Sequence, residues 1–375
     1  MRIRTTLLIA SMACTVSLSP AQAEEKTLQI NNHGIHNGHN NKNHVHSDAT
    51  PAGVMGAHMH KKGDFMLSYS FMHMNMDGNR TGTNRIDPLT IATTEPNRFS
   101  GVAGQPPTLR VVPTDMKMDM HMLGAMYAPT DWLTLMAMAN YLEKDMSHIT
   151  FAGGAGTNIL GKFSTASNGW GDTKITSLIR LFDNDIHQIH LNMGLSLPTG
   201  SIDETDTVLA PSGATPNLRL PYAMQLGTGT YDLLPGITYT GHKGAWGWGA
   251  QYTAEIRLES ENDESYAWGD KHSLTAWSSY KWAPWISTSA RLTGSTQDSI
   301  DGIDSQIVAP VQTANPDNYG SDVLEFSLGA NLIGTKGYLK DHRLAFEATA
   351  PLYRDLNGPQ LETDWTLTVG WQYAF

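Results

Sequence analysis

Three observations predict an all-β fold, a transmembrane antiparallel up-and-down β-barrel of about twelve strands. From residue 63 onward, apolar and polar side chains alternate with period two. The connections between the alternating runs are short and long by turns. The last run carries Trp365, Leu367, Val369, Trp371, Tyr373 and Phe375 on one face, and closes on an aromatic ring.

Arg2 and Arg4 precede a short apolar run, Thr6 to Leu18, and Ala21-Gln22-Ala23 fits a signal-peptidase site. Residues 1–23 are therefore expected to be a cleaved secretory signal. No later stretch is apolar for the ~18 residues of a spanning helix, which excludes helical membrane spans. The single cysteine, Cys14, falls inside the leader. The exported chain then has neither a disulfide nor a cysteine nucleophile. Without the leader, 23 Lys and Arg face 36 Asp and Glu, a net charge of −13 with histidine neutral. That balance argues against a nucleic-acid partner. The expected setting is the outer membrane of a Gram-negative cell.

Residues 24–62 read as a polar tail rich in His, Asn and Gly. It shows no apolar periodicity and is expected to be disordered and periplasmic. The barrel proper is expected over residues 63–375. Its strands are read near 63–76, 115–128, 131–146, 171–182, 186–198, 228–240, 245–259, 268–283, 285–298, 320–334, 340–352 and 362–375. Short connections fall at Pro129-Thr130, Asn184-Asp185, Gly241 to Gly244, Pro284 and Thr335 to Leu339. Longer ones cover 77–114, 147–170, 199–227, 260–267, 299–319 and 353–361. Short periplasmic turns and long outer loops are the pattern of such barrels.

Successive strand side chains point to opposite faces. In 246–258, Trp246, Trp248, Ala250, Tyr252, Ala254, Ile256 and Leu258 alternate with Gly247, Gly249, Gln251, Thr253, Glu255 and Arg257. Leu324, Phe326, Leu328, Ala330 and Leu332 alternate with Glu325, Ser327, Gly329 and Asn331 in the same way. A soluble sandwich would put the apolar face inside. Three features favour lipid on the outside instead. Aromatic rings stand beside the short turns (Tyr127, Trp132, Phe182, Tyr239, Trp246, Trp282, Trp285), as in an interfacial girdle. The runs are long for a sandwich. The final aromatic strand resembles the signal read by the outer-membrane assembly machinery, which would make that machinery a partner through Phe375.

Four stretches resemble a known family. They are Gly169-Trp170-Gly171-Asp172, Leu197-Pro198-Thr199-Gly200, the run Gln225 to Tyr239, and Trp371-Gln372-Tyr373-Ala374-Phe375. Over roughly residues 60–375 the chain is similar to the outer-membrane barrels named for the MetA pathway of phenol degradation. The resemblance implies a barrel that moves small, often hydrophobic, compounds across the outer membrane. It assigns no residue a transport role.

Charged and polar candidates for the lumen are Lys174, Arg180, His190, Asp232, Glu255, Arg257, Lys281, Arg291, Glu325, Arg343 and Glu347. Such residues either pair across a narrow interior or tune ion passage. Methionine is concentrated: 14 of 18 lie between Met55 and Met146. Met66, Met72, Met74 and Met76 share one parity in the first strand, opposite Phe65, Leu67, Tyr69 and Phe71, and are expected in the lumen. So are Met136 and Met138 in the third. In the second strand the alternate face carries Asp115, Lys117, Asp119 and His121, so Met116, Met118, Met120, Met122 and Met126 are expected to face lipid.

His33, His36, His39, His44, His46, His58 and His60 form a loose imidazole set in the tail. It suits capture of copper, zinc or nickel, or is a polar spacer; no cofactor is required. Thioether sulfur suits Cu(I), which makes a copper-related role an alternative to simple apolar filling. The expected function is an outer-membrane channel or transporter for small solutes, set in outer-membrane lipid and lipopolysaccharide, its substrate a small molecule or a metal. The rival classes are a lipid-processing enzyme, for which no Ser/His/acid grouping stands out, and a structural or adhesive surface barrel.

Overall fold

The computed structural model describes residues 49–375. The expected leader and most of the tail, including His33, His36, His39, His44 and His46, lie outside the described residues. In chain order the elements are β1 Phe65–Gly82, β2 Asn84–Ile86, α1 Pro88–Thr94, β3 Val111–Thr130, β4 Leu133–Phe151, β5 Ile159–Trp170, β6 Thr173–Asp183, β7 His187–Leu197, β8 Thr205–Thr207 and β9 Asn217–Arg219. There follow β10 Asp232–Lys243, β11 Trp246–Arg257, β12 Tyr266–Ala267, β13 Lys271–Ala283, β14 Ile286–Gln297, β15 Asp301–Gly302, β16 Ser321–Ile333 and β17 His342–Ala374.

Eleven strands close into a ring, β1-β3-β4-β6-β7-β10-β11-β13-β14-β16-β17 and back to β1, with β2 and β5 outside it. Every pairing is antiparallel. A ring of antiparallel neighbours needs an even number of passes. The 33-residue β17 supplies the twelfth by folding back on itself. Its first arm pairs with β16, from Ile333↔Arg343 to Ser321↔Leu356. Its second pairs with β1, from Gly82↔Leu356 to Met66↔Ala374. The arms touch where Arg343 donates to Gln372 Oε1 at 2.8 Å and the Trp371 indole donates to His342 Nδ1 at 3.1 Å. The expected runs 340–352 and 362–375 are thus one strand, and the loop expected at 353–361 is its bend.

The outward face is apolar over most of the ring. Leu67, Leu123, Leu135, Ile175, Ile237, Leu274, Leu292, Leu328 and Leu344 are exposed along it. So continuous an apolar surface is stable only under lipid. Trp132, Phe182, Trp246, Trp282 and Trp285 stand exposed at the end that carries Phe65 and Phe375, where the connections are short. This is the amphipathic girdle that the headgroup layer favours. The long connections gather at the other end. One of them holds α1, capped by Asp87, whose side chain accepts from Thr90 N at 3.0 Å. Its Ile91 and Ala92 pack with Leu109, Val112 and Phe151 on the outer rim of β3 and β4.

Candidate functional site

The lumen is the candidate site, and pairing registers decide what lines it. Residues directly opposite in a sheet share a face. Met66 opposes Met126, which opposes Met136; Met72 opposes Met120; Met74 opposes Met118; Met76 opposes Met116, which opposes Met146. Met66, Met126, Met116 and Met146 are buried, whereas Leu67, Leu123 and Leu135 on the alternate face are exposed. All these methionines, with Met122 and Met138, therefore point inward.

This corrects the expectation that the methionines of residues 115–128 face lipid. Asp115, Lys117, Asp119 and His121 are the outward set. β1, β3 and β4 run for 18, 20 and 19 residues, against 11 for β6 and β7. They overhang the ~9–11 residues that cross a bilayer, and Asp115, Lys117 and Asp119 fall on the overhang. Charge there marks the rim, not the lumen. Asp119 Oδ1 meets His73 Nδ1 at 2.5 Å, and the Tyr69 hydroxyl meets His121 Nδ1 at 2.7 Å.

The wall away from the methionines is charged and internally paired. Lys174 meets Glu255 at 3.1 Å, and Arg257 bridges Asp232 and Glu255. Arg291 pairs with Glu347, beside Glu325, which opposes Thr293 on the inward register. Arg343 donates to Asn331 Oδ1 and Gln372. Lys281 opposes the buried Ser287, and Arg180 bonds Asp183 near the short-turn end. The structure brings Lys174, Asp232, Glu255 and Arg257 into one group and Arg291 and Glu347 into another, with Arg343 apart.

A segment of the expected tail fills the space between the two walls. Residues 50–60 lie inside the ring, and Lys61 and Lys62 at its short-turn rim, a correction to the loose tail expected there. The Thr50 carbonyl accepts from Arg343, and the Met55 carbonyl accepts from Gln251 Nε2 at 3.0 Å. The Gly56 carbonyl, which can only accept, takes the Nε2 proton of His190 at 2.8 Å. Val54 and Ala57 pack on Trp277, and Met59 packs against Met66 and Met126. His60 N donates to Thr134 Oγ1 at 3.1 Å and Lys62 N to Asp131 at 2.9 Å. Gly56 has φ +62°, which favours glycine, and a Cβ at Gly53 would stand 2.5 Å from Glu347 Oε1 and displace the Arg291–Glu347 pair. The sequence carried a signal in Val54, Met55, Ala57 and Met59, an apolar patch between glycines that the polar tail before it lacks. The rings of His58 and His60 meet edge-on at 5.1 Å. Among the described residues no three His, Cys, Asp or Glu side chains converge as a metal centre would require.

The long loops close the far end. Tyr222, Tyr266, Ile300, Ile307, Val311 and Ala314 form one buried cluster, with Trp268 and Tyr319 against it. Burial pushes the hydroxyls of Tyr222, Tyr266 and Tyr319 above their ordinary range. It also raises the carboxyl of Asp304, only partly offset by a hydrogen bond from Gln306 N and by Arg219.

Three of the sequence stretches that carried the family resemblance meet in the wall. Above Lys174 the partner of β4 changes from β6 to β5, and among the described residues β5 pairs with β4 alone. At this break Asp172 accepts from Gly200 N at 3.0 Å and from Thr228 N at 2.8 Å. Gly200 and Gly227 are in such close contact that a Cβ on Gly200 would lie 2.7 Å from Gly227 Cα.

Ring, girdle and apolar outer face define a closed membrane-type β-barrel whose lumen is occupied by its own chain. No protein-family model matches the chain, and no curated protein matches it in sequence. The finer family name suggested by the motifs therefore goes without support from either comparison. Among solved structures it is similar to an outer membrane channel from Pseudomonas putida F1, at 16% identity and TM-score 0.55, over 86% of this chain and 99% of that one. It is more distantly similar to the Pseudomonas putida toluene transporter TodX, at 10% identity and TM-score 0.42, over 84% of this chain and 90% of that one. The first likeness shows the fold, and the second is too loose to bear on function.

Proposed function

We propose that the chain is an outer-membrane channel that passes small, largely apolar solutes along the methionine-lined wall of its lumen. The observation that carries this reading is the division of the interior. Lys174, Asp232, Glu255, Arg257, Arg291 and Glu347 on the other wall are tied to one another, so they offer a permeating ion few partners. The methionine wall is mostly neutral, its Lys144 opposite Met118 being tied to the carbonyls of Ala223 and Gln225, and it is flexible enough to reshape around an apolar guest. A narrow barrel filled by a segment of its own chain suits slow passage of compact molecules better than bulk diffusion. In this reading residues 50–62 enter from the periplasmic side.

Proteoliposomes test it. Barrel-containing vesicles should take up N-phenylnaphthylamine faster than empty ones, with little gain for glucose. Met120→Asp, which places a charge midway along the wall, should slow the aromatic probe. Equal uptake with and without the barrel would sink the proposal.

A further inference from the structure

The inward methionines form a continuous series. At the short-turn end Met59, Met66, Met126 and Met136 pack in one cluster around Leu178. At the loop end Met76, Met116, Met146 and Met224 pack in another, around Leu220. Between them Met72 opposes Met120 and Met74 opposes Met118, with Met122 and Met138 on the same wall. Opposed residues have Cβ atoms about 4.5–5.5 Å apart, and successive inward positions on one strand are about 7 Å apart. Inward methionines thus recur along β1 and β3 from the short-turn end to the loop end, with Leu142 and Lys144 as the β4 neighbours of Met120 and Met118.

Toward the short-turn end the outward positions of the same strands use Leu, Tyr, Phe and Ala, as at Leu67, Tyr69, Phe71, Leu123, Leu133, Leu135, Ala137 and Ala139, with charged residues and His121 farther along. If the inner wall needed only to be apolar, leucine would serve there too. In β1, β3 and β4 sulfur stands on the inner face alone, which points to a property of the thioether.

We propose that this wall is a binding path for soft monovalent metal ions, Cu(I) and its redox-inert counterpart Ag(I). Thioether sulfur is a soft ligand that selects such ions over the hard cations of the medium. It is neutral, so each site holds a cation weakly. A row of weak, closely spaced sites is what conduction requires, since an ion must bind well enough to enter and loosely enough to leave. At the short-turn end Met59 is flanked in sequence by His58 and His60, whose rings meet edge-on at 5.1 Å. As a path the inference rests on the channel reading above; as a set of sites it does not.

The test uses the refolded full chain with isotopically labelled methionine ε-methyls, titrated with silver nitrate in chloride-free buffer. Saturable shifts of the Met72, Met74, Met118 and Met120 methyls are expected, as is silver entry into vesicles preloaded with chloride. The variant M72L/M74L/M118L/M120L keeps apolar volume but removes sulfur, and should lose both signals. Methyls that stay unmoved by silver in the wild type overturn the proposal, whether or not the variant folds. So does equal silver entry through wild type and a folded variant. Vesicles that pass N-phenylnaphthylamine but not silver sink this inference and spare the channel reading; the converse result does the opposite.

Discussion

The carboxylate of Asp172 accepts twice from Thr228, from the backbone N–H at 2.8 Å and from the hydroxyl at 3.1 Å. With the bond from Gly200 N, one side chain ties the top of β6 to both ends of the loop that follows β7. Hydrogen bonds to an ionised acceptor contribute about 1.5–3 kcal/mol each, so this carboxylate dominates the local closure. Asp172→Ala should raise amide exchange at Gly200 and Thr228 sharply while leaving β13–β14 unchanged. Gly200→Ala should reproduce the effect by collision with Gly227, without touching any charge.

Removing the lumen segment should open the barrel. Deletion of residues 50–62 from the full chain is expected to raise single-channel conductance in planar bilayers. Arg343→Ala, which frees only the Thr50 end of the segment, should produce intermittent openings and not a steady increase.

The Arg291–Glu347 pair is buried on both sides, with side chains 11% and 1% exposed. Removing one partner leaves the other charge in a poorly hydrated interior, a loss of about 3–5 kcal/mol. Glu347→Ala should therefore lower the temperature at which the folded band disappears on semi-native gels. The double change Arg291→Met with Glu347→Leu should recover much of it.

Asp304 gives the loop cluster a pH dependence. Burial holds its carboxyl above the ordinary value of 3.8. As pH falls through the raised value, the folded cluster takes up a proton that the unfolded loop does not yet bind. The cluster therefore gains stability on acidification, until the unfolded carboxyl also protonates near 3.8. Amide exchange in residues 300–316, corrected for intrinsic rate, should slow between neutral pH and that limit. Asp304→Asn should flatten the profile.

Strand positions were legible in the sequence because a half-buried strand writes its register as period two; the end at Ala283 is as read, whereas the strands read from 63 and to 240 begin at Phe65 and end at Lys243. Charge misled in β3. Asp115 to Asp119 were assigned to the lumen because charge is costly in lipid, but these strands outrun the bilayer, so the charges meet water outside. Strand pairing settles that, and pairing is long-range. The lumen segment left no periodic trace. It is held by single bonds from Gln251, His190 and Thr134, each contributed by a different strand. The Asp172 junction was visible as separate motifs, whereas their meeting depends on the fold.

Phe65 and Phe375 exchange both backbone hydrogen bonds, at 2.9 and 2.8 Å. That seam is made by the strand farthest in sequence from residues 50–62, which it helps to enclose. During insertion the early segment either lies against the growing sheet before the late strand arrives or enters once the seam has closed. Closing that one seam therefore fixes the wall on both sides of a segment that belongs to the opposite end of the chain.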